Sequence, residues 1–280
     1  QIIVWGRADA VNPTNNLTPR DMRVRSPVED DARLGNLALR AHLNLEPFRW
    51  ELVWVPFFAP SHFPRFELPG GISLGQPDYP DANIKHGTLA TRAHFLWPAF
   101  ELSVSYLIGS STFPGIKLLQ VAPSPAGGLP LTSVAFTTYR HHVAGGDFST
   151  TIGSFGVRGE VALRWPIDHQ DAAYKPMPDL QYVVGLDHEF FHQVNVILQY
   201  SGRAVVDWVE DPTARGTPIT SDPLREIARQ LLAARNRIIA GQQERVQHSL
   251  TLRVEWKLLQ ETLSLEALGL VNISTEEALI

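Results

Sequence analysis

The sequence predicts an all-β protein: an up-and-down antiparallel transmembrane β-barrel with about eleven visible strands, incomplete as it stands, carrying one amphipathic helix in a long extracellular loop. Three observations predict it. Apolar and polar residues alternate with a period of two, the connections are long and short in turn, and aromatic residues collect at both ends of the apolar faces.

The alternation is clearest in three stretches. In 99–108, Phe100, Leu102, Val104, Tyr106 and Ile108 share one face, with Glu101, Ser103 and Ser105 opposite. In 155–165, Phe155, Val157, Val161, Leu163 and Trp165 oppose Arg158, Glu160 and Arg164. In 246–257, Val246, Leu250, Leu252, Val254 and Trp256 oppose Gln247, Ser249, Thr251, Arg253 and Glu255. Residues 37–44, 48–55, 88–97, 179–189, 194–203 and 260–271 follow the same rule, and 1–8 and 131–143 follow it less cleanly. A period of two sustained this long signals strands and not helices.

The connections 45–47, 98, 190–193 and 257–259 read as short, and 9–36, 56–87, 109–130 and 204–245 as long. Residues 144–154 and 166–178 lie between these extremes. Barrels that cross a bilayer sort their connections in this way, with tight turns on one rim and long loops on the other. On the turn side stand Phe48, Trp50, Trp97, Tyr139, Phe155, Phe190 and Trp256; on the loop side stand Trp54, Tyr106, Trp165, Tyr182 and Tyr200. These are the two expected interfacial girdles.

The polar faces carry Arg40, Arg49, Arg92, Arg158, Arg164, Arg203 and Arg253 together with Glu51, Glu101, Glu160, Asp187, Glu189, Glu255 and Glu266. So many charges are costly in a dry core unless they are paired, and they suit a wet lumen. Their near balance predicts no strong preference between anions and cations.

One segment departs from strand spacing. Residues 222–240, within the loop 204–245, place Leu224, Ile227, Leu231 and Ile238 at helical intervals. Asp222 suits the N-cap, Pro223 the first helical position and Gly241 the stop. The predicted helix lies over the barrel mouth to cover its apolar stripe, or dips inward as a constriction.

Composition narrows the function. A net charge of −5 argues against nucleic acid as a partner. The absence of cysteine excludes disulfides and thiolate metal sites. No run of about 18 apolar residues exists to form a membrane helix, but a mean hydropathy of −0.08 is what alternating membrane strands produce.

Three motifs invite chemistry. His188-Glu189-Phe190-Phe191-His192 spells the zinc-protease pattern, which works when a helix places both imidazoles one turn apart. At the foot of a strand the same spacing spans about 13 Å, against Zn–N bonds of about 2 Å, so a hairpin is expected and not a metal site. His141 and His142 point to opposite faces of a strand and cannot chelate together; their expected place is the turn-side rim. The glycines of 153–159 precede no helix and make no phosphate loop.

The stretches IIVWGRADAVNPTNNLTPRD (2–21), TTIGSFGVRGEVAL (150–163), LQYVVGLDHEF with VNVILQY (180–200) and GQQERVQHSLTLRVEWKLLQETLSLE (241–266) resemble a porin-like outer-membrane β-barrel family of Gram-negative bacteria, largely of unknown function and distantly similar to alginate-export-type barrels. The resemblance implies one barrel domain over 1–280, truncated at both ends, in the outer membrane. The expected function is a channel or export conduit for small polar or amphiphilic solutes, not an enzyme, with no catalytic residue, cofactor or metal. Outer-membrane lipid and a solute in the lumen are its expected partners, with a periplasmic or inner-membrane transport component as a further one. A soluble β-rich binding or structural protein is the alternative, and a zinc hydrolase through His188, Glu189 and His192 a remote one.

Overall fold

A computed structural model describes residues 1–9, 11–23, 32–63, 72–123, 131–191, 193–212, 215, 223–260, 262–274 and 277–279. Ten strands of seven or more residues form one antiparallel sheet: β1 (Leu39–Leu45), β2 (Phe48–Val55), β4 (Thr88–Trp97), β5 (Phe100–Ser110), β8 (Arg140–Ile152), β9 (Phe155–Pro166), β10 (Asp179–Phe190), β11 (Val194–Val205), β12 (Val246–Leu258) and β13 (Leu263–Asn272). The three-residue β14 (Glu277–Leu279) pairs with β13 at one edge, β1 forms the other edge, and the sheet does not close. Neighbours in the sheet follow chain order, and three further strands within the long connections lie outside it.

Turns 46–47, 98–99, 153–154, 191–193 and 259–262 sit at one end of the sheet, the turn end. Connections 56–87, 111–139, 167–178 and 206–245 sit at the other, the loop end. Here the structure corrects two expected strands. Residues 131–143 are not one strand: Leu131–Thr137 is β7, and the sheet strand β8 begins at Arg140 and continues through residues read as a connection. Residues 1–8 form no strand.

The long connections carry a second layer. β3 (Ile72–Leu74), β7 and β6 (Gly115–Ala122) make a three-stranded sheet, parallel between β3 and β7 and antiparallel between β7 and β6. Helix α1 (Pro223–Ile239) packs on β6, with Leu232 against Ile116 and Val134 in one buried cluster. Asp222, the expected N-cap, lies outside the described residues. At the helix end Gly241 has φ +64° and donates to Ile238 O at 2.9 Å, while Gln242 N donates to Arg237 O at 2.9 Å. That pairing is the glycine-stopped end the sequence favours.

The buried face of α1 is not the expected one. Ile227, Leu231 and Ile238 are exposed, while Ala228, Leu232, Ala233 and Asn236 are buried. The small alanines let the helix approach β6 closely, and Asn236 supplies hydrogen bonds the strand lacks. It accepts from Ile116 N at 2.7 Å and donates to Ile116 O at 2.8 Å.

Strand registry divides the large sheet into two unlike faces. Every charged side chain of the ten long strands lies on one face, except Arg140 at the loop-end start of β8. The other face is apolar and uncovered: Trp50, Trp54, Val104, Val161, Val184, Leu198, Leu252 and Trp256 are all exposed. The polar groups on this face find partners there. Trp50 Nε1 donates to Thr91 Oγ1 at 2.6 Å, Tyr106 Oη lies 2.6 Å from His142 Nδ1, and Tyr200 Oη lies 2.6 Å from His248 Nδ1.

Candidate functional site

The charged face is occupied by the chain's own first residues. Ile3, Trp5 and Leu17 are buried in one cluster with Val53, Val55, Ala90, Leu107, Val143 and Ala162, which all point from that face near the loop end. Trp5 Nε1 donates to Glu51 Oε1 at 3.3 Å on β2. Four residues later Asp9 Oδ1 meets Arg253 Nη1 at 2.8 Å on β12. Seven strand spacings of about 4.8 Å separate β2 from β12 along the sheet, whereas four residue steps extend about 14 Å. Long side chains and the curl of the sheet around the segment supply the difference.

Between these two anchors the segment enters a network of charges. Arg7 Nε donates to Asp147 Oδ1 at 2.9 Å, and Arg7 also pairs with Glu101. Asp147 is buried, accepts from Arg92 Nη2 at 2.6 Å and also accepts from Ser103 Oγ. Glu160 accepts from the backbone N–H groups of Arg7 and Ala8 and, at 3.1 Å, from Thr14 Oγ1. The turn in the segment depends on Gly6, whose φ is +97° and whose added Cβ would collide with Asn12 and the Glu160 carboxylate.

The structure places all fourteen sequence-predicted polar-face residues on this one face. Arg40 pairs with Glu51 at 2.7 Å, Arg158 with Asp187 at 2.6 Å and Arg253 with Glu266 at 2.9 Å. Arg164 and Arg203 share Asp179, the latter at 3.5 Å. Glu101 and Glu160 meet the N-terminal segment directly and Arg92 backs it through Asp147, Arg49 Nη2 lies 3.2 Å from His42 Nδ1, and Glu255 accepts from Ser264 Oγ at 3.2 Å. Glu189 lines a cavity at the turn end. Sequence reading missed Arg7, Asp9, Asp147 and Asp179. Arg7 fell in a supposed strand and Asp9 and Asp147 in supposed connections, while Asp179 opens a strand whose polar parity with Gln181 could have flagged it.

Two positions are corrected. Tyr139 and the His141–His142 pair stand at the loop end, not the turn end, because β8 begins there and runs toward Gly153. His141 is buried on the charged face and His142 lies on the apolar face beside Trp165 in register.

Below the segment, toward the turn end, two adjoining cavities of about 720 and 400 Å³ share Thr151, Gly156 and Asp187. His188 and Glu189 are successive strand residues on opposite faces. His188 stacks on Phe155 with centroids 4.4 Å apart, and its Nδ1 lies 2.9 Å from Ser154 O. His192 lies outside the described residues. Among the described residues no three His, Asp or Glu side chains gather as a metal cluster would require. The face thus presents charges paired across strands, with the N-terminal segment lying across it.

Comparison with known proteins returns no matching family model and no matching curated protein.

Proposed function

We propose that the sheet is the wall of an outer-membrane conduit for small polar solutes, with its charged face lining the passage and the N-terminal segment constricting it. One observation carries the reading: a broad apolar face that none of the described residues covers and that holds no charge between its rims. A water-soluble monomer rarely exposes apolar patches beyond a few hundred Å². Lipid makes the same face favourable, and polar groups there must then be satisfied within the protein, as the Trp50–Thr91, Tyr106–His142 and Tyr200–His248 contacts are. Length agrees as well. The 12 residues of β10 extend about 40 Å and, tilted by about 40°, rise about 30 Å, the thickness of a bilayer's hydrocarbon core. No strand edge stays unpaired in lipid, so this reading requires further strands to meet β1 and β14.

The test is a charge on the apolar face. Val184 is half exposed at the middle of β10. In water, Val184→Arg changes stability by less than about 0.5 kcal/mol; at a bilayer midplane it costs about 2–4 kcal/mol. The expected result is impaired insertion of the variant into liposomes, while the parent chain inserts and admits arabinose in a swelling assay. A parent chain that is monomeric without detergent, with the variant indistinguishable from it, overturns the proposal.

A further inference from the structure

The charged face is not uniform. Most of the contacts that hold the N-terminal segment stand on β2 to β9, with Arg253 on β12 the exception. From β10 to β13, near the loop end, amides and hydroxyls predominate, and the two charges there, Arg203 and Asp179, face each other. Two adjacent cross-strand rows make up this region. Gln181, Arg203 and Gln247 stand in register across β10, β11 and β12; Ser201, Ser249 and Asn272 stand in register across β11, β12 and β13. Directly paired side chains lie about 5 Å apart, so the two rows form one continuous patch. The next row toward the turn end holds Gln199 and Thr251, both buried and uncharged.

These rows line a cavity of about 220 Å³, bounded on the side of the N-terminal segment by Val11. At about 30 Å³ per water the space holds roughly seven waters, which is the scale of one small ring and not of a chain. Its chemistry is specific in three ways. First, apart from Val11 and Arg203 the side chains facing it are amides and hydroxyls, groups that donate and accept as alcohols do, although the Gln181 oxygen already accepts from Arg164 and Arg203. Second, Val11 is its only large apolar side chain, so it offers no surface to an acyl chain. Third, its single guanidinium is committed elsewhere: Arg203 Nη1 donates to Ala240 O at 2.6 Å and also to Gly241 O, and its Nε faces Asp179. Gln247, by contrast, is buried with a carbonyl oxygen that has no partner among the described residues. An acceptor left so is unfavourable, and a turn of the Gln247 amide toward the cavity it lines would let a bound hydroxyl satisfy it.

We propose that Gln181, Ser201, Gln247, Ser249 and Asn272 form a binding subsite for a neutral polyhydroxylated solute, a sugar of about one ring, on the loop-end side of the constriction. The route by which the sugar arrives rests on the conduit reading above; the subsite itself does not.

The experiment uses the full chain in detergent micelles, with binding of glucose, glucuronate and glucosamine read by saturation-transfer NMR titration. Glucose should bind saturably, with both charged analogues at least fivefold weaker. Gln247→Leu should raise the glucose Kd about tenfold, the effect of one buried hydrogen bond lost. Should that variant fail to fold, Ser201→Ala combined with Ser249→Ala removes two hydroxyls without altering a buried amide, and should weaken binding several-fold. Glucuronate binding more tightly than glucose would make Arg203 the determinant and overturn the proposal, as would no binding or an unchanged Kd in the variants. Swelling of proteoliposomes in arabinose separates the two readings. Swelling without sugar binding removes the subsite and leaves the conduit; sugar binding by a chain that cannot permeabilise liposomes removes the conduit and leaves the subsite.

Discussion

Asp147→Asn tests whether the N-terminal segment is locked to the sheet by buried charge. The Asp147 side chain is 1% exposed and the Arg92 side chain 6%, so the pair at 2.6 Å is shielded from solvent on both sides. Arg7, 24% exposed, adds a second guanidinium at 2.9 Å. Removing one member of a buried pair costs about 3–5 kcal/mol, because the remaining charge stays desolvated without its counter-charge. The amide keeps one acceptor and Arg7 keeps Glu101, so the low end, about 3 kcal/mol, is expected. With an m-value of about 2–3 kcal/mol/M, the urea midpoint falls by roughly 1–1.5 M in detergent. Asp78→Asn is the control: its pair with Lys117 is 2.8 Å long, comparably short, but about half exposed on both sides, and should cost no more than about 1 kcal/mol. In a double-mutant cycle, Asp147→Leu with Arg92→Met should cost less than the sum of the two single changes by about 2 kcal/mol. Equal losses for Asp147→Asn and Asp78→Asn would refute the reasoning, because the charge network would then not hold the segment.

Trp5→Ala removes a side chain that is 2% exposed and should cost about 3–5 kcal/mol; unit conductance should rise in the same variant, and a stable variant of unchanged conductance would show that residues 1–9 do not narrow the path. Asn236→Ala leaves both backbone groups of Ile116 without their partner, at a cost of about 2–3 kcal/mol; amide exchange at Ile116 should accelerate, and unchanged exchange counts against the contact. The Arg229 guanidinium, hydrogen-bonded to Glu226 at 2.8 Å, holds that exposed carboxyl below the ordinary glutamate range. A depressed carboxylate contributes stability above its unfolded pKa and loses it as pH falls through the folded one, so exchange protection in α1 should fall in acid, and Glu226→Gln should flatten that dependence.

How much of this was legible in the sequence depended on what opposes each extended segment. Period-two alternation located the strands whose faces are cleanly apolar and polar, and parity alone put Arg40, Glu189 and the rest of the fourteen on one side. It failed at β8, where Gly145 and Gly146 interrupt the apolar series. The cause lies elsewhere in the chain: a Cβ on Gly145 would stand 3.0 Å from Thr14 Cγ2 and 3.1 Å from Val161 O, so side chains are excluded where the N-terminal segment passes. It failed also at residues 1–8, whose alternating Ile3 and Trp5 belong to an extended chain that packs without pairing. Alternation reports two unlike sides and not whether a ladder of hydrogen bonds lies beside them. The exposed stripe Ile227, Leu231 and Ile238 misled for a related reason, since periodicity found an apolar face of α1 and could not weigh it against the alanines and Asn236 that fit β6.

These failures share one origin, and it bears on function. The charged face is not polar throughout: near the loop end Val53, Val55, Ala90, Leu107, Val143 and Ala162 make an apolar belt across β2 to β9. A water-filled passage has no use for such a belt, whereas Ile3, Trp5 and Leu17 do. Just below it, Asp147 and Glu160 are buried and meet Arg7 and the backbone N–H groups of Arg7 and Ala8. The same strands therefore offer apolar side chains at one height and anionic ones at the next, in the order in which the segment presents apolar residues and then a cation. Wall and segment are complementary row by row. β10 to β13, which contribute no side chain to the apolar belt, hold the two polar rows that carry Gln181, Ser201, Gln247 and Ser249. On the conduit reading proposed above, most of the anchorage stands on β2 to β9, Arg253 apart, and the amides and hydroxyls of β10 to β12 mark the side along which a solute would pass.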